Sequence, residues 1–340
     1  MKRNIFLILL ATVLSVSCEK ALMEDDEPSD KMAVYEYLWT KFDQNYSLFN
    51  EKNINWDSVH DVYAPRVAQT KNAAELFRVL SDMVNTLEDA HVNLYNDFDV
   101  SHDARYFVRS HQRCNIDINV VALNYLTSNY HSTGGFAHNT IRDGKVLYVR
   151  YSSFSNSITT ADWIHVLSDN YSCRGTILDM RQNGGGSIEN IWTILKLMPS
   201  TGQTLYFTQL KNGPGHDDFG ELEERKAPEN DEHEPYKKPV VVLVDRGSYS
   251  ATSFFALCTK SYSNMTLMGD TTGGGLGMPA GGQLPNGWYY RMSVTRTFPP
   301  VGPALADGVP PDNVVLLDAA ETAAGRDNVI EAACDWIMSR

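Results

Sequence analysis

Two stretches decide the reading of this chain: Arg174–Ser187, RGTILDMRQNGGGS, and Val240–Phe255, VVVLVDRGSYSATSFF. Each begins as an apolar run of strand type and breaks into a tight turn. The first turn ends in Gly184, Gly185 and Gly186; the second presents Ser250 where an amphipathic helix begins at Ala251. A glycine turn with accessible amides beside a serine on a strand-to-helix turn suits acyl transfer. The serine attacks a carbonyl and the amides receive the developing oxyanion. Each half alone has an ordinary explanation. Asn-Gly-Gly-Gly is often a loop that needs positive φ, and a serine at a helix start is most often an N-cap.

Around these stretches the pattern is that of an α/β domain. Residues 145–154, 176–180, 204–210 and 239–245 read as strands, with helices at 188–198 and 251–260 between them. Upstream, apolar residues at three- and four-residue spacing in 32–49, 53–67 and 72–89 predict an N-terminal helical domain over residues 31–96. Residues 97–143 read as a small segment of strands and loops, and residues 144–340 as the catalytic domain. The polar stretch 211–238 lacks periodicity; such an insertion is either functional, here overhanging the serine, or a solvated excursion.

The chain has 340 residues, 43% hydrophobic and 21% charged, with net charge −13. This composition excludes a nucleic-acid binder and fits a globular protein. Lys2 and Arg3 precede an apolar run, Ile5–Val16, too short to span a bilayer. Residues 1–18 therefore read as a secretion leader. Leu14-Ser-Val-Ser-Cys18 resembles a lipoprotein processing site, with Leu one position earlier than usual, which makes Cys18 the expected lipidation site and membrane anchor. Ordinary leader cleavage nearby is the alternative. Residues 19–30 are polar and acidic and read as a flexible tether. Cys173, Cys258 and Cys334 sit among apolar residues and read as core; no cysteine has metal-site spacing. No cofactor or metal is implied, and oligomeric state is not encoded in any visible pattern.

Five motifs in order resemble the S41 serine peptidases, the group of C-terminal processing peptidases and tricorn core enzymes. They are Leu87-EDA-His91, Asp179-MRQNGG-Gly186, Ser250-AT-Ser253, Gly269-DTTGG-Gly275 and Gly308-VPP-Asp312. The resemblance implies a ClpP/crotonase-like α/β catalytic domain, peptide-bond hydrolysis through an acyl-enzyme, and peptides or unfolded protein as substrates. One branch of that family uses a Ser-Lys dyad, with lysine in a Gly-Lys-Gly setting. Here that segment is Gly273-Gly-Gly275, and the last lysine of the chain is Lys260. The resemblance then points to the tricorn-like branch, in which a histidine of the helical domain serves the serine; His91 occupies that place. A histidine with near-neutral pKa can take the serine proton and later return it to the leaving amine. A capping role at the end of the third helix is the structural alternative for His91.

The same branch places an acid before the Gly-Val-x-Pro-Asp motif. Asp307 is the expected orienting acid, though Leu305 is a competing register, and Asp89 is a second candidate. Gly185 and Ala251 are the expected oxyanion amides, with Arg181 and Asn183 shaping the turn. The interval 92–144 is too short for a PDZ domain. The expected function is a serine peptidase of the cell envelope. The competing readings are an inactive peptide- or ligand-binding lipoprotein on the same scaffold and an acyl-transfer enzyme acting on thioesters.

Overall fold

The computed structural model describes residues 30–101, 114–229 and 232–340. The leader, Cys18 and all of the tether but its last residue lie outside these.

Four helices open the described chain: α1 Lys31–Asn45, α2 Phe49–Lys52, α3 Trp56–Ala68 and α4 Ala73–Asn85. Asn55 and Asn72 cap α3 and α4 by accepting from the amides of Ser58 and Glu75, which satisfies donors a helix start leaves free. Their apolar faces, including Val34, Leu38, Phe42, Trp56, Leu80 and Val84, close on one another.

The catalytic-domain region is built on a seven-stranded sheet in the order β13 Asn313–Val314, β9 Met265–Gly269, β8 Val240–Val244, β5 Gly175–Asp179, β4 Val146–Arg150, β3 Phe136–Ile141 and β2 His131–Thr133. Its central strands are β4 Val146–Arg150, β5 Gly175–Asp179, β8 Val240–Val244 and β9 Met265–Gly269, all parallel. Their runs carry no polar face because the sheet is covered on both sides. Val240, Val242 and Val244 pack under α6 Thr160–Asp169, α7 Glu189–Leu195 and α8 Ala251–Thr259. Val241 and Leu243 face the opposite core, with α10 Asn328–Met338. A short helix, α9 Ala319–Ala323, precedes α10.

Two readings of residues 97–143 change. β2 His131–Thr133 and β3 Phe136–Ile141 extend the main sheet as antiparallel strands, so this part belongs to the catalytic-domain sheet. Residues 118–126, expected as strand and loop, are helical: α5 Ile118–Val121 continues as one π-turn, Ala122–Leu126. The Asp117 side chain accepts from the amides of Asn119 and Val120, and this local cap outweighs the β-branched Val120 and Val121.

The helical region is also not self-contained. β1 Asn93–Tyr95, β11 Tyr289–Ser293 and β10 Pro279–Gln283 form a three-stranded antiparallel sheet. Leu284, Trp288, Tyr290 and Met292 complete the helical core. The two halves are therefore joined by strand pairing, and His91, two residues before β1, is carried to the catalytic half. In a second small sheet, β6 Thr204–Leu210 pairs with β7 Glu223–Lys226 and β12 Thr295–Phe298. The polar insertion folds back as this hairpin and docks on the helices. His216 stacks on Phe49 at 4.4 Å and bonds Asp43 at 2.8 Å.

Candidate active site

β5 and β8 are neighbours, with Asp179 opposite Leu243, so the turns that follow them meet beyond their carboxyl ends. Buried polar contacts fix both turns. Arg181 lies fully buried between Asp179 (2.6 Å) and Asp327 (2.9 Å), and its N–H also reaches the Asn115 carbonyl at 2.6 Å. Asp245 accepts from the amides of Gln182 and Gly247. The Asn183 carbonyl accepts from the Tyr249 amide and the Thr252 hydroxyl, tying the glycine turn to the serine turn.

Ser250 sits at φ 55°, ψ −120°, a conformation L-residues rarely hold, and its side chain makes no capping bond. The ordinary N-cap explanation is thereby excluded. Its hydroxyl lies 2.9 Å from His91 Nε2. The other ring nitrogen, Nδ1, lies 2.8 Å from the Gly277 carbonyl. A carbonyl only accepts, so Nδ1 carries the hydrogen and Nε2 is left as acceptor for the Ser250 O–H. The structure thus brings Ser250 and His91 together across 159 positions in sequence.

It does not bring Asp307 to them. The Asp307 side chain is 81% exposed and faces Lys52 at 3.5 Å. The expected role as orienting acid is not met, because Gly277 already takes the Nδ1 hydrogen. The buried carboxylate of the site is Asp89. It accepts from the His91 amide (2.9 Å), the Tyr249 hydroxyl (3.0 Å), the Ser293 hydroxyl (2.8 Å) and the Tyr46 hydroxyl (3.2 Å). Burial alone would raise its pKa; nearby His91 and Lys52, the His91 amide and Ser293 outweigh this and hold it below the usual carboxylate value. Burial lowers the His91 pKa, and Arg291 adds to this. Asp89 and the Gly277 carbonyl oppose both without reversing the direction.

Gly185 packs directly on the serine turn: a Cβ there would lie 2.7 Å from the Tyr249 carbonyl oxygen and 2.8 Å from Ser250 Cβ. Its amide, expected to face an oxyanion, donates to Asn183 Oδ1 at 3.0 Å. The Ala251 amide has no acceptor among the described residues. Lys260 is paired with Asp312 at the far end of α8, about 15 Å of helix from Ser250. A cleft of about 720 Å³ opens alongside, lined by Lys52, Asp89, Arg246, Tyr249 and Gly275 among others. Gly277, Tyr249, Ser293 and Lys52 escaped the sequence reading. A carbonyl leaves no mark on residue type, and only the position of Tyr249 beside Ser250 offered a signal.

The model of peptidase family S41 matches residues 145–315, and that of the Tricorn protease C1 domain matches residues 28–85. The chain belongs to peptidase family S41. It is similar to a Parabacteroides merdae ATCC 43184 protein of known structure, provisionally assigned as a peptidase. The two share 33% identity and a TM-score of 0.86, over 91% of this chain and 97% of that one. It is 26% identical to the carboxy-terminal processing protease CtpA of Bacillus subtilis (strain 168) over 162 residues, 47% of this chain and 32% of that protein. The chain thus spans a third or less of the curated relatives it matches. Mature CPAF complexed with lactacystin shares the fold, with TM-score 0.68 and 12% identity over 92% of this chain and 99% of that one. The S41 member described here is a mixed α/β protein with an N-terminal helical region.

Proposed function

We propose that this S41 member hydrolyses peptide bonds through an acyl-enzyme on Ser250, with His91 as general base. The observation that supports this most is the pair of bonds on the imidazole: Nε2 at 2.9 Å from Ser250 Oγ and Nδ1 at 2.8 Å from the Gly277 carbonyl. As Ser250 Oγ bonds to the substrate carbonyl carbon, its proton passes to His91 Nε2. The carbonyl oxygen takes the negative charge and receives the Ala251 amide. Gly185 contributes by sharing its N–H between Asn183 Oδ1 and the oxyanion, as three-centre bonds do. Collapse breaks the C–N bond, and the Nε2 proton leaves with the amine. Water then attacks the ester by the same proton path in reverse. The Asp89 charge lowers the cost of the transient imidazolium without itself touching the ring nitrogens.

Incubation of the mature protein with a mixture of peptides, read by mass spectrometry, tests this reading. Cleavage by wild type, lost in both Ser250→Ala and His91→Ala, is the expected result. Intact peptides with folded wild type would sink it in favour of a binding protein. We further propose an envelope location with a lipid anchor at Cys18, resting on the leader sequence alone. Cys18→Ser should abolish incorporation of labelled palmitate; undiminished labelling would exclude that anchor.

A further inference from the structure

One segment runs through the whole site. The Gly273 amide bonds the Ser248 carbonyl, and the Gly274 carbonyl accepts from the Ser250 amide. Gly275 lies against the Tyr249 ring, where a Cβ would come within 2.4 Å. The Gly277 carbonyl holds His91. Two residues later this segment becomes β10, an edge strand whose named strand neighbour among the described residues is β11.

The free groups on that edge follow from the register. The Val294 amide bonds the Met278 carbonyl, and the Leu284 amide bonds the Trp288 carbonyl. Antiparallel pairs alternate between bonded and non-bonded, so Ala280 and Gly282 face β11 with Met278 and Leu284. The carbonyl of Pro279, and the N–H and carbonyl of both Gly281 and Gln283, therefore point away from β11. Ala280, Gly281 and Gln283 are exposed. Gly281 and Gly282 pack closely on β11, where Cβ atoms would meet the Tyr290 carbonyl oxygen at 2.0 Å and the Tyr290 hydroxyl at 2.8 Å. The same lack of side chains leaves the edge bare.

Edges are usually blunted by charge. This chain is 21% charged, yet no Asp, Glu, Lys, Arg or His occurs from Thr271 to Tyr290. Among the described residues, the edge is open to another backbone.

We propose that β10, Pro279–Gln283, is the substrate-binding edge: an extended peptide adds to it as an outer strand and is led along the 273–278 segment to Ser250. The proposal rests on the peptidase reading and deepens it. Recognition would be through backbone hydrogen bonds, largely indifferent to sequence. Gly277 to Gly281 is about 13 Å of strand, so the edge reads about four residues on one side of the scissile bond.

Residue-resolved hydrogen exchange on the Ser250→Ala protein, with and without a saturating peptide that wild type cleaves, tests this. The amides of Gly281 and Gln283 should slow at least tenfold, while those of Ala280 and Gly282, already bonded to β11, change little. Single N-methylation along the peptide should raise KM about tenfold at alternate positions, with kcat little changed. Unchanged exchange at 281 and 283 while the peptide protects another segment would overturn the proposal. So would concentration-dependent protection without peptide, which would mean that a second copy covers the edge. If wild type cleaves nothing, the peptidase reading fails at that earlier step and this inference falls with it.

Discussion

Asp89→Asn separates a carboxylate that holds the imidazole from one that only charges its surroundings. All four groups around Asp89 are donors: the His91 amide and Tyr249 hydroxyl on Oδ1, and the Ser293 and Tyr46 hydroxyls on Oδ2. An amide must turn its NH2 toward two of them. The His91 N–H is fixed, so the NH2 takes the Oδ2 side, where hydroxyls can rotate; Ser293 can turn to the Gly277 carbonyl at 3.5 Å. Bonds to a charged group contribute about 1.5–3 kcal/mol each. Allowing for the relieved burial of charge, the net loss of stability is about 2–4 kcal/mol. The effect on catalysis is smaller than in a triad. Where a carboxylate holds Nδ1, its exchange for an amide gives the wrong tautomer and costs about 10⁴ in kcat. Here the Gly277 carbonyl fixes the tautomer. Only the electrostatic support of the imidazolium is lost, about 1.4–2.8 kcal/mol, or 10–100-fold in kcat. The assay is steady-state cleavage below the melting transition, with circular dichroism to confirm folding. A fall of 10⁴ or more in a folded variant would refute the carbonyl-held tautomer.

Three further outcomes follow from the same geometry. Asp307→Ala should leave kcat within about threefold of wild type and stability within about 1 kcal/mol, since an exposed ion pair contributes little; a loss above a hundredfold would restore Asp307 to the mechanism. Ser250→Gly and Ser250→Ala should both be inactive, but the glycine variant should be the more stable in urea by about 1 kcal/mol. Glycine relieves about 1–3 kcal/mol of strain at φ 55° and gives back about 0.5–1 in chain entropy; equal stabilities would mean that the turn is unstrained. The acid limb of kcat/KM should fall below the ordinary histidine pKa of about 6.5, because burial of His91 lowers its pKa. The unfolded chain then binds the proton more readily than the folded one. This contribution to stability is complete above about pH 6.5 and is lost as pH falls below it; an acid limb at or above 6.5 would contradict the burial argument.

The central strands were legible because Val240–Val244 and Ile177–Leu178 are apolar without alternation, as suits a sheet buried on both faces. Ser250 was legible because a tight turn between strand and helix is written in residue types. His91 came from its motif, and the structure places its ring beside Ser250. What could not be read has a common cause. The partner of His91 Nδ1 is a backbone carbonyl, available to any residue type, so the sequence pointed to a carboxylate and Asp307 stood nearest the expected motif. The pairing of Asn93 with Arg291, which joins the two halves, spans about two hundred residues and leaves no local pattern. Helix Ile118–Val121 was hidden because one capping aspartate outweighed β-branched residues. The bond from the Gly185 amide to Asn183 was hidden because that acceptor lies only two residues away, in a turn whose geometry sequence does not fix.

The most direct test of the account is labelling of the folded mature protein with a fluorophosphonate, followed by mass spectrometry of the adduct. One adduct is expected, on Ser250, absent in Ser250→Ala and slowed at least a hundredfold in His91→Ala. An adduct on Ser250 that forms at the wild-type rate in His91→Ala, or no adduct on Ser250 at all, would contradict it.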